Sequence, residues 1–229
     1  MISARLAPSL HFGAAMSGFV PRLRRVVMAV LGAVWILSVG AGLAVLLRYE
    51  KEPGLAAAPP ARWPASSRLE QAPGRATLVM LVHPGCPCSR ASIEELDRIM
   101  ARAEGLVTAH VLFFKPREFA DDWEKTDLWY RAAAIPGVRV RRDDDGAEAG
   151  IFRAATSGQV VLYDAAGALV FRGGITPSRG HSGDNDGRQA IVALLTATEA
   201  PTRTRTPVFG CSLRDPETVG NDERRHDAL

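Results

Sequence analysis

The sequence predicts an α/β fold, a mixed β-sheet flanked by helices and preceded by one N-terminal transmembrane helix. Three observations in its 229 residues predict this. Residues 26–47 carry no charge over a length that crosses a hydrocarbon core of about 30 Å as a helix. Residues 76–103 pass from a continuous apolar run, through a turn of Pro, Gly and Cys, into a helical pattern. Beyond residue 105, strand-like and helix-like segments alternate and close with a hairpin and an amphipathic helix. A hydrophobic fraction of 47% supplies a core of ordinary size.

The first seventy residues read as an anchor and a tether. Arg5, Arg22, Arg24 and Arg25 precede the apolar stretch, whereas Arg48, Glu50, Lys51 and Glu52 after it are balanced. That asymmetry puts residues 1–25 in the cytoplasm and the rest outside, in a single-pass inner (cytoplasmic) membrane protein whose domain lies in the periplasm or beyond. A cleaved signal peptide is the competing reading, and Ala56-Ala57-Ala58 suits cleavage, but a secretory apolar core is shorter, about 7–15 residues. Residues 48–73 are rich in Pro and Ala and lack an apolar period, as expected of an extended linker. The net charge of +3 belongs to the N-terminus. Without it the chain is slightly acidic and offers no basic face, which excludes nucleic acid as a partner.

The domain is expected over residues 74–200, with a polar tail at 201–229 carrying Cys211. Residues 76–82 read as a buried strand, stopped by Pro84 and Gly85. Residues 89–103 read as a helix, with Ser89 as cap, Ser92 and Glu95 at capping-box spacing, and Ile93, Leu96, Ile99 and Met100 on one face. A strand over 106–114 completes a β-α-β unit, which favours a parallel pair. A helix over 119–134, a third strand over 138–142 and a short helix over 147–155 follow. Residues 159–163 and 169–171 flank Asp164-Ala165-Ala166-Gly167 as an antiparallel hairpin, and 187–197 form a last helix capped by Asp186.

Chemistry concentrates at His83-Pro84-Gly85-Cys86-Pro87-Cys88-Ser89-Arg90. A helix start presents free N–H groups and a positive dipole end, which favour a thiolate, the form that attacks disulfides and binds soft metals. Three cysteines make no disulfide scaffold, and two of them stand together. A Cys86–Cys88 bond fits the Cα separation that disulfides accept, about 4.4–6.8 Å. Its small ring is strained and therefore oxidising, a labile couple. His83 is a proton relay or a cation beside the thiols. Val208 and Phe209 make an apolar hook that docks Cys211 near the pair, as resolving thiol or metal ligand.

This turn, at the first strand–helix junction, resembles the active-site turn of the thioredoxin superfamily, and the resemblance covers about residues 74–200. Together with residues 171–181 and 207–212 it looks like the RedB-type branch of exported thioredoxin-like bacterial proteins. The superfamily's cysteines are usually separated by two residues, here by one. Aligning the strand puts Cys86 at the family's nucleophile and Ser89 at its second cysteine. Aligning the Pro-Cys pair instead puts Cys88 at the second position and Gly85 at the first. Where the family places a cis-proline, this chain reads Ala155-Thr156-Ser157-Gly158-Gln159. The resemblance implies that this segment still approaches the site, with Ser157 or Gly158 facing the cysteines and its backbone open to a substrate strand.

The leading reading is a membrane-tethered, extracytoplasmic thiol–disulfide oxidoreductase. Cys86, Cys88, Cys211 and His83 are its catalytic residues. Pro87, Ser157, Gly158, Arg179 and His181 bind the substrate, the thiols or disulfides of exported proteins. No cofactor is expected. The alternative is copper binding or delivery, with Cys86, Cys88 and His181 as soft ligands for Cu(I). Peroxide reduction and a redox-inert interaction module come after these.

Overall fold

The computed structural model describes residues 19–55, 57–197 and 203–213. Most of the expected cytoplasmic segment, Ala56 of the cleavage site and the end of the tail lie outside the described residues. The chain divides into two compact units, up to Arg48 and from Tyr49 onward. Helix α1 (Phe19–Lys51) contains the expected apolar stretch. Arg22–Lys51 is long and apolar enough to cross a membrane, with a mean hydropathy of 2.4 in its most apolar window.

The second unit is built on one five-stranded sheet. β1 (Ala76–Val82) leads through the cysteine turn into α2 (Cys88–Arg102) and β2 (Val107–Lys115). Then come α3 (Asp127–Ala133), β3 (Val138–Asp144), α4 (Ala147–Ile151), β4 (Gln159–Tyr163), β5 (Leu169–Gly173) and α5 (Asp186–Thr196). The strand order is β3-β2-β1-β4-β5. β1, β2 and β3 are parallel, while β4 runs antiparallel to both β1 and β5. β1 is therefore central and buried on both faces, which is why it reads as an unbroken apolar run.

Its side chains alternate between two cores. Leu78, Met80 and Val82 join Ile93, Leu96 and Ile99 of α2 and Ile191 of α5 on one face. Val79 and Leu81 join Leu69, Phe152, Tyr163 and Leu213 on the other. The second face is covered largely by irregular chain. Trp63 packs edge-on to Phe152 and Tyr163, with centroids 5.6 and 5.3 Å away. The Tyr163 hydroxyl donates to the Pro60 carbonyl at 2.9 Å. Residues 57–73 thus lie along the domain rather than reaching away from it.

Several local expectations give way. The helix expected over 119–134 is confined to α3, because Asp122 takes a left-handed conformation (φ 70°) and Lys115 Nζ donates to the Pro116 and Phe119 carbonyls. Asn185, not Asp186, caps α5, its side chain accepting from Arg188 N–H at 2.7 Å. Glu95 forms no capping box. It is fully buried and holds Arg188 and Asn185, tying α2 to the start of α5.

Candidate functional site

The site forms where three segments meet at the end of β1. The antiparallel ladder between β1 and β4 continues one residue past the strand, with Gly158 N–H donating to the Leu81 carbonyl at 2.7 Å. That register carries Ser157 to the cysteine turn. Its hydroxyl accepts the His83 N–H at 2.8 Å and shares a 2.7 Å hydrogen bond with the Ser89 hydroxyl. Gly158 has φ 86°, and a Cβ there would stand 2.8 Å from Ser92 Oγ, so both conformation and space require glycine.

Helix α2 begins one residue earlier than its pattern suggests. Pro87 is its N-cap, already helical at φ −64°, with no side-chain cap. Proline supplies the right φ at a helix start, which frees Ser89 from capping and leaves its hydroxyl for Ser157. Cys86 stands just before the helix and Cys88 is its first residue.

All three cysteines are free thiols. Residues 203–213 bring the third to the other two. Cys86 Sγ lies 3.0 Å from Cys211 Sγ, and the Cys211 N–H points to Cys86 Sγ at 3.4 Å. Burial pushes the Cys86 thiol up, but hydrogen bonds from the Cys211 thiol and amide, the Ser89 hydroxyl and the Cys88 N–H outweigh it, and the net direction is down. The neighbours move the other way. Burial and the adjacent Cys86 raise Cys88, although Arg179 and the Gly180 N–H oppose this. Burial, then the hydrogen bond and charge of Cys86, push Cys211 up to about 12. Cys86 is therefore the first of the three sulfurs to ionise, and its charge then opposes ionisation of the other two. The helix start alone suggests a lowered pKa for whichever thiol sits on it; the contacts single out Cys86.

Cys86 is only 1% exposed, and the segment 203–213 covers it. Arg179 reaches the site through that segment, Nη1 donating to the Gly210 carbonyl at 2.6 Å. Its Nε donates to the Glu52 carbonyl, and its guanidinium lies 4.8 Å from the Tyr49 ring centroid. His83 shapes the turn: Nδ1 accepts the Gly85 N–H at 3.1 Å, and the ring meets Trp123 edge-on. His181 Nδ1 stays within its own loop, on Ser178 Oγ and the Arg179 carbonyl. Among the described residues, no group of three His, Cys, Asp or Glu side chains is arranged to hold a metal ion.

Two contributions escape the sequence reading. Ser89, read as a cap or as standing at the family's second cysteine, supports both Ser157 and Cys86. Gly210 looks like spacing, yet a Cβ on it would come 1.9 Å from the Ser157 carbonyl oxygen. Its place directly before Cys211 is the one legible sign.

A parallel β1-α2-β2 unit, an antiparallel β4–β5 hairpin beside β1 and a closing α5 define the architecture, with the thiols at the end of β1. The fold is thioredoxin-like. The chain aligns with an uncharacterized conserved protein from Geobacillus kaustophilus over 71% of this chain and 92% of that one, at 21% identity and a TM-score of 0.52. A hypothetical protein from Sinorhizobium meliloti aligns over 71% and 93% at 22% identity, with a TM-score of 0.49. A secreted Mycobacterium tuberculosis disulfide oxidoreductase homologous to E. coli DsbE aligns over 54% and 84% at 20% identity, with a TM-score of 0.42. No family model matches the sequence, and neither does any curated protein.

Proposed function

We propose that this chain is a membrane-tethered, extracytoplasmic thiol–disulfide oxidoreductase of the RedB-type branch, with Cys86 as nucleophile and Cys211 as resolving thiol. The observation that carries the reading is the 3.0 Å approach of Cys211 Sγ to a Cys86 sulfur held below its ordinary pKa. The Cys86 thiolate attacks one sulfur of a partner disulfide. A Cys86–partner disulfide forms, and the partner's other sulfur leaves as a thiolate that takes a proton from water. Cys211 then loses its proton and attacks the Cys86 sulfur, releasing the partner's second thiolate. The partner gains two electrons, and the protein is left with a Cys86–Cys211 disulfide. Run backwards, the same steps oxidise a partner dithiol. Burial and the neighbouring Cys86 raise the Cys88 thiol, which makes it the weaker nucleophile of the pair. Arginines before the apolar stretch 26–47 and balanced charge after it support a cytoplasmic N-terminus and an external domain.

The test uses the full chain in detergent. Oxidation followed by non-reducing peptide mapping is expected to give a Cys86–Cys211 bond with Cys88 free, and the reduced protein is expected to reduce insulin. A Cys86–Cys88 bond with Cys211 always free would remove Cys211 from the mechanism. Tight stoichiometric Cu(I) uptake without any disulfide exchange would overturn the reading in favour of copper handling.

A further inference from the structure

Residues 203–213 form a strap that carries Cys211 to the cysteine turn. Gly174 N–H reaches the strap's Pro207 carbonyl at 3.2 Å, and Gly54 N–H reaches that of Val208 at 2.8 Å. Further on, Ser157 N–H donates to the Cys211 carbonyl at 2.8 Å, and Leu213 N–H to the Ala155 carbonyl at 2.9 Å. Gly54 stands apart from the other partners. It belongs to residues 49–55, where the second unit begins, in a stretch whose composition reads as plain linker.

That stretch meets the thiol site at three places. The Leu55 carbonyl accepts the Thr156 hydroxyl at 3.1 Å, and a Cβ on Gly54 would collide with the same threonine. Gly54 itself holds the strap three residues before Cys211. The third place is Arg179. Its N–H donates to the Glu50 carbonyl at 3.0 Å and its Nε to the Glu52 carbonyl at 3.1 Å, while the guanidinium carbon lies 4.8 Å from the Tyr49 ring centroid. From there Nη1 donates to the Gly210 carbonyl at 2.6 Å, one residue before Cys211. Gly180, next in the loop, gives its N–H to the Cys88 sulfur. No carboxylate among the described residues pairs with the guanidinium, so its charge stays available to the sulfurs and favours the ionised forms of Cys88 and Cys211.

We propose that residues 49–55 are a working part of the thiol site, acting through Arg179, a positioning residue that holds Cys211 where it can bond Cys86. The proposal rests on the thiol-exchange reading and deepens it by naming what controls closure of the Cys86–Cys211 bond. Closure draws together two sulfurs that stand 3.0 Å apart, and its equilibrium follows the effective concentration of one thiol at the other. Anchoring the strap backbone at Val208 and Gly210 raises that concentration, and both anchors lead back to residues 49–55. The planar guanidinium spans the Glu52 and Gly210 carbonyls at once, whereas a lysine ammonium carries the charge without the fork. The Tyr49 ring supports the guanidinium from its own side of this bridge.

The experiment equilibrates the full chain in detergent with mixtures of reduced and oxidised dithiothreitol. Cys86 and Cys211 lose two electrons and two protons as their disulfide forms, and the cyclic disulfide of the reagent takes them up. Acid quenching, alkylation and peptide mapping give the equilibrium constant for the Cys86–Cys211 bond. Arg179→Ala is expected to lower it about tenfold or more, as the loss of a charged hydrogen-bond donor implies. Arg179→Lys is expected to recover only a small part of the loss. Tyr49→Ala, at a ring that is 56% exposed, is expected to lower the constant about two- to fivefold. The double variant Tyr49→Ala/Arg179→Ala is expected to match Arg179→Ala alone, because the ring works only through the guanidinium. Unfolding midpoints measured alongside identify a merely structural role, which moves the midpoint and leaves the constant unchanged. An unchanged constant in Arg179→Ala, or full rescue by Arg179→Lys, would overturn the positioning role. An unchanged constant in Tyr49→Ala, or additive losses in the double variant, would overturn the part given to residues 49–55. A native chain that forms no Cys86–Cys211 bond at any ratio of the reagent would bring down the thiol-exchange reading itself.

Discussion

The two faces of the sheet are closed by different kinds of chain. On one face, α2, α3 and α5 cover Leu78, Met80 and Val82, and the longer helices α2 and α5 satisfy most of their own N–H groups. On the other, Val79 and Leu81 lie beneath Trp63 and Leu69 of the segment after α1, Phe152 beside α4, and Leu213 of the strap. Irregular cover must find partners for its backbone outside itself. Gln71 donates to the Asp164 carbonyl, the Trp63 N–H to that of Gly167, and the strap borrows Ala155 and Ser157. Such cover opens by local unfolding far more readily than a packed helix. Cys86 thus stands at the start of a helix of the regular face, and the irregular face brings Cys211 to it.

The sharpest way to break the contrast lies on the helical face. Glu95→Ala leaves the buried Arg188 guanidinium with only the exposed Asp184 carboxylate and is expected to destabilise the domain by about 3 kcal/mol in denaturant unfolding. A loss below about 1 kcal/mol would mean that this ion pair does not tie α2 to α5. On the irregular face, Trp63→Ala removes a half-buried ring from Phe152 and Tyr163, and a smaller loss of about 2 kcal/mol is expected. Calorimetry finding the two losses equal would erase the distinction between the faces.

The smallest effect on stability falls at the thiols. Cys211→Ala is expected to leave unfolding nearly unchanged while altering the pH dependence of Cys86 alkylation. The Cys86 thiol is held below its ordinary ionisation range, so its rate in the native chain should level off at lower pH than a free cysteine's. Losing the Cys211 thiol removes a lowering contact, and the inflection should move up. The sign for stability follows: a thiol depressed by folding stabilises above its unfolded pKa, and that contribution fades as pH falls through the Cys86 value. An unmoved inflection would show that Cys211 does not support the thiolate.

The regular elements were legible because each carries its own period. β1 is an unbroken apolar run, α2 repeats Ile93, Leu96 and Ile99 at helical spacing, and β4 and β5 bracket a Gly-containing turn. Where a side chain had a choice of partners, local pattern failed. Ser89 left the cap for Ser157, and Glu95 left Ser92 for Arg188. Trp63, which stands in a Pro-rich stretch without periodicity, became a cornerstone of the second core.

The sequence by itself determined the apolar N-terminal helix, the order of strands and helices, and a cysteine turn at a strand–helix junction. Those follow from composition and spacing over a few residues. Only the tertiary structure decided which sulfur meets Cys86. The apolar hook Val208-Phe209 pointed to Cys211 near the pair, but its meeting with Cys86, 125 positions away, comes from hydrogen bonds between residues 211–213 and the loop before β4. The lowered Cys86 pKa is likewise a property of the assembled site, because it depends on a serine, an amide and a second thiol drawn from different segments.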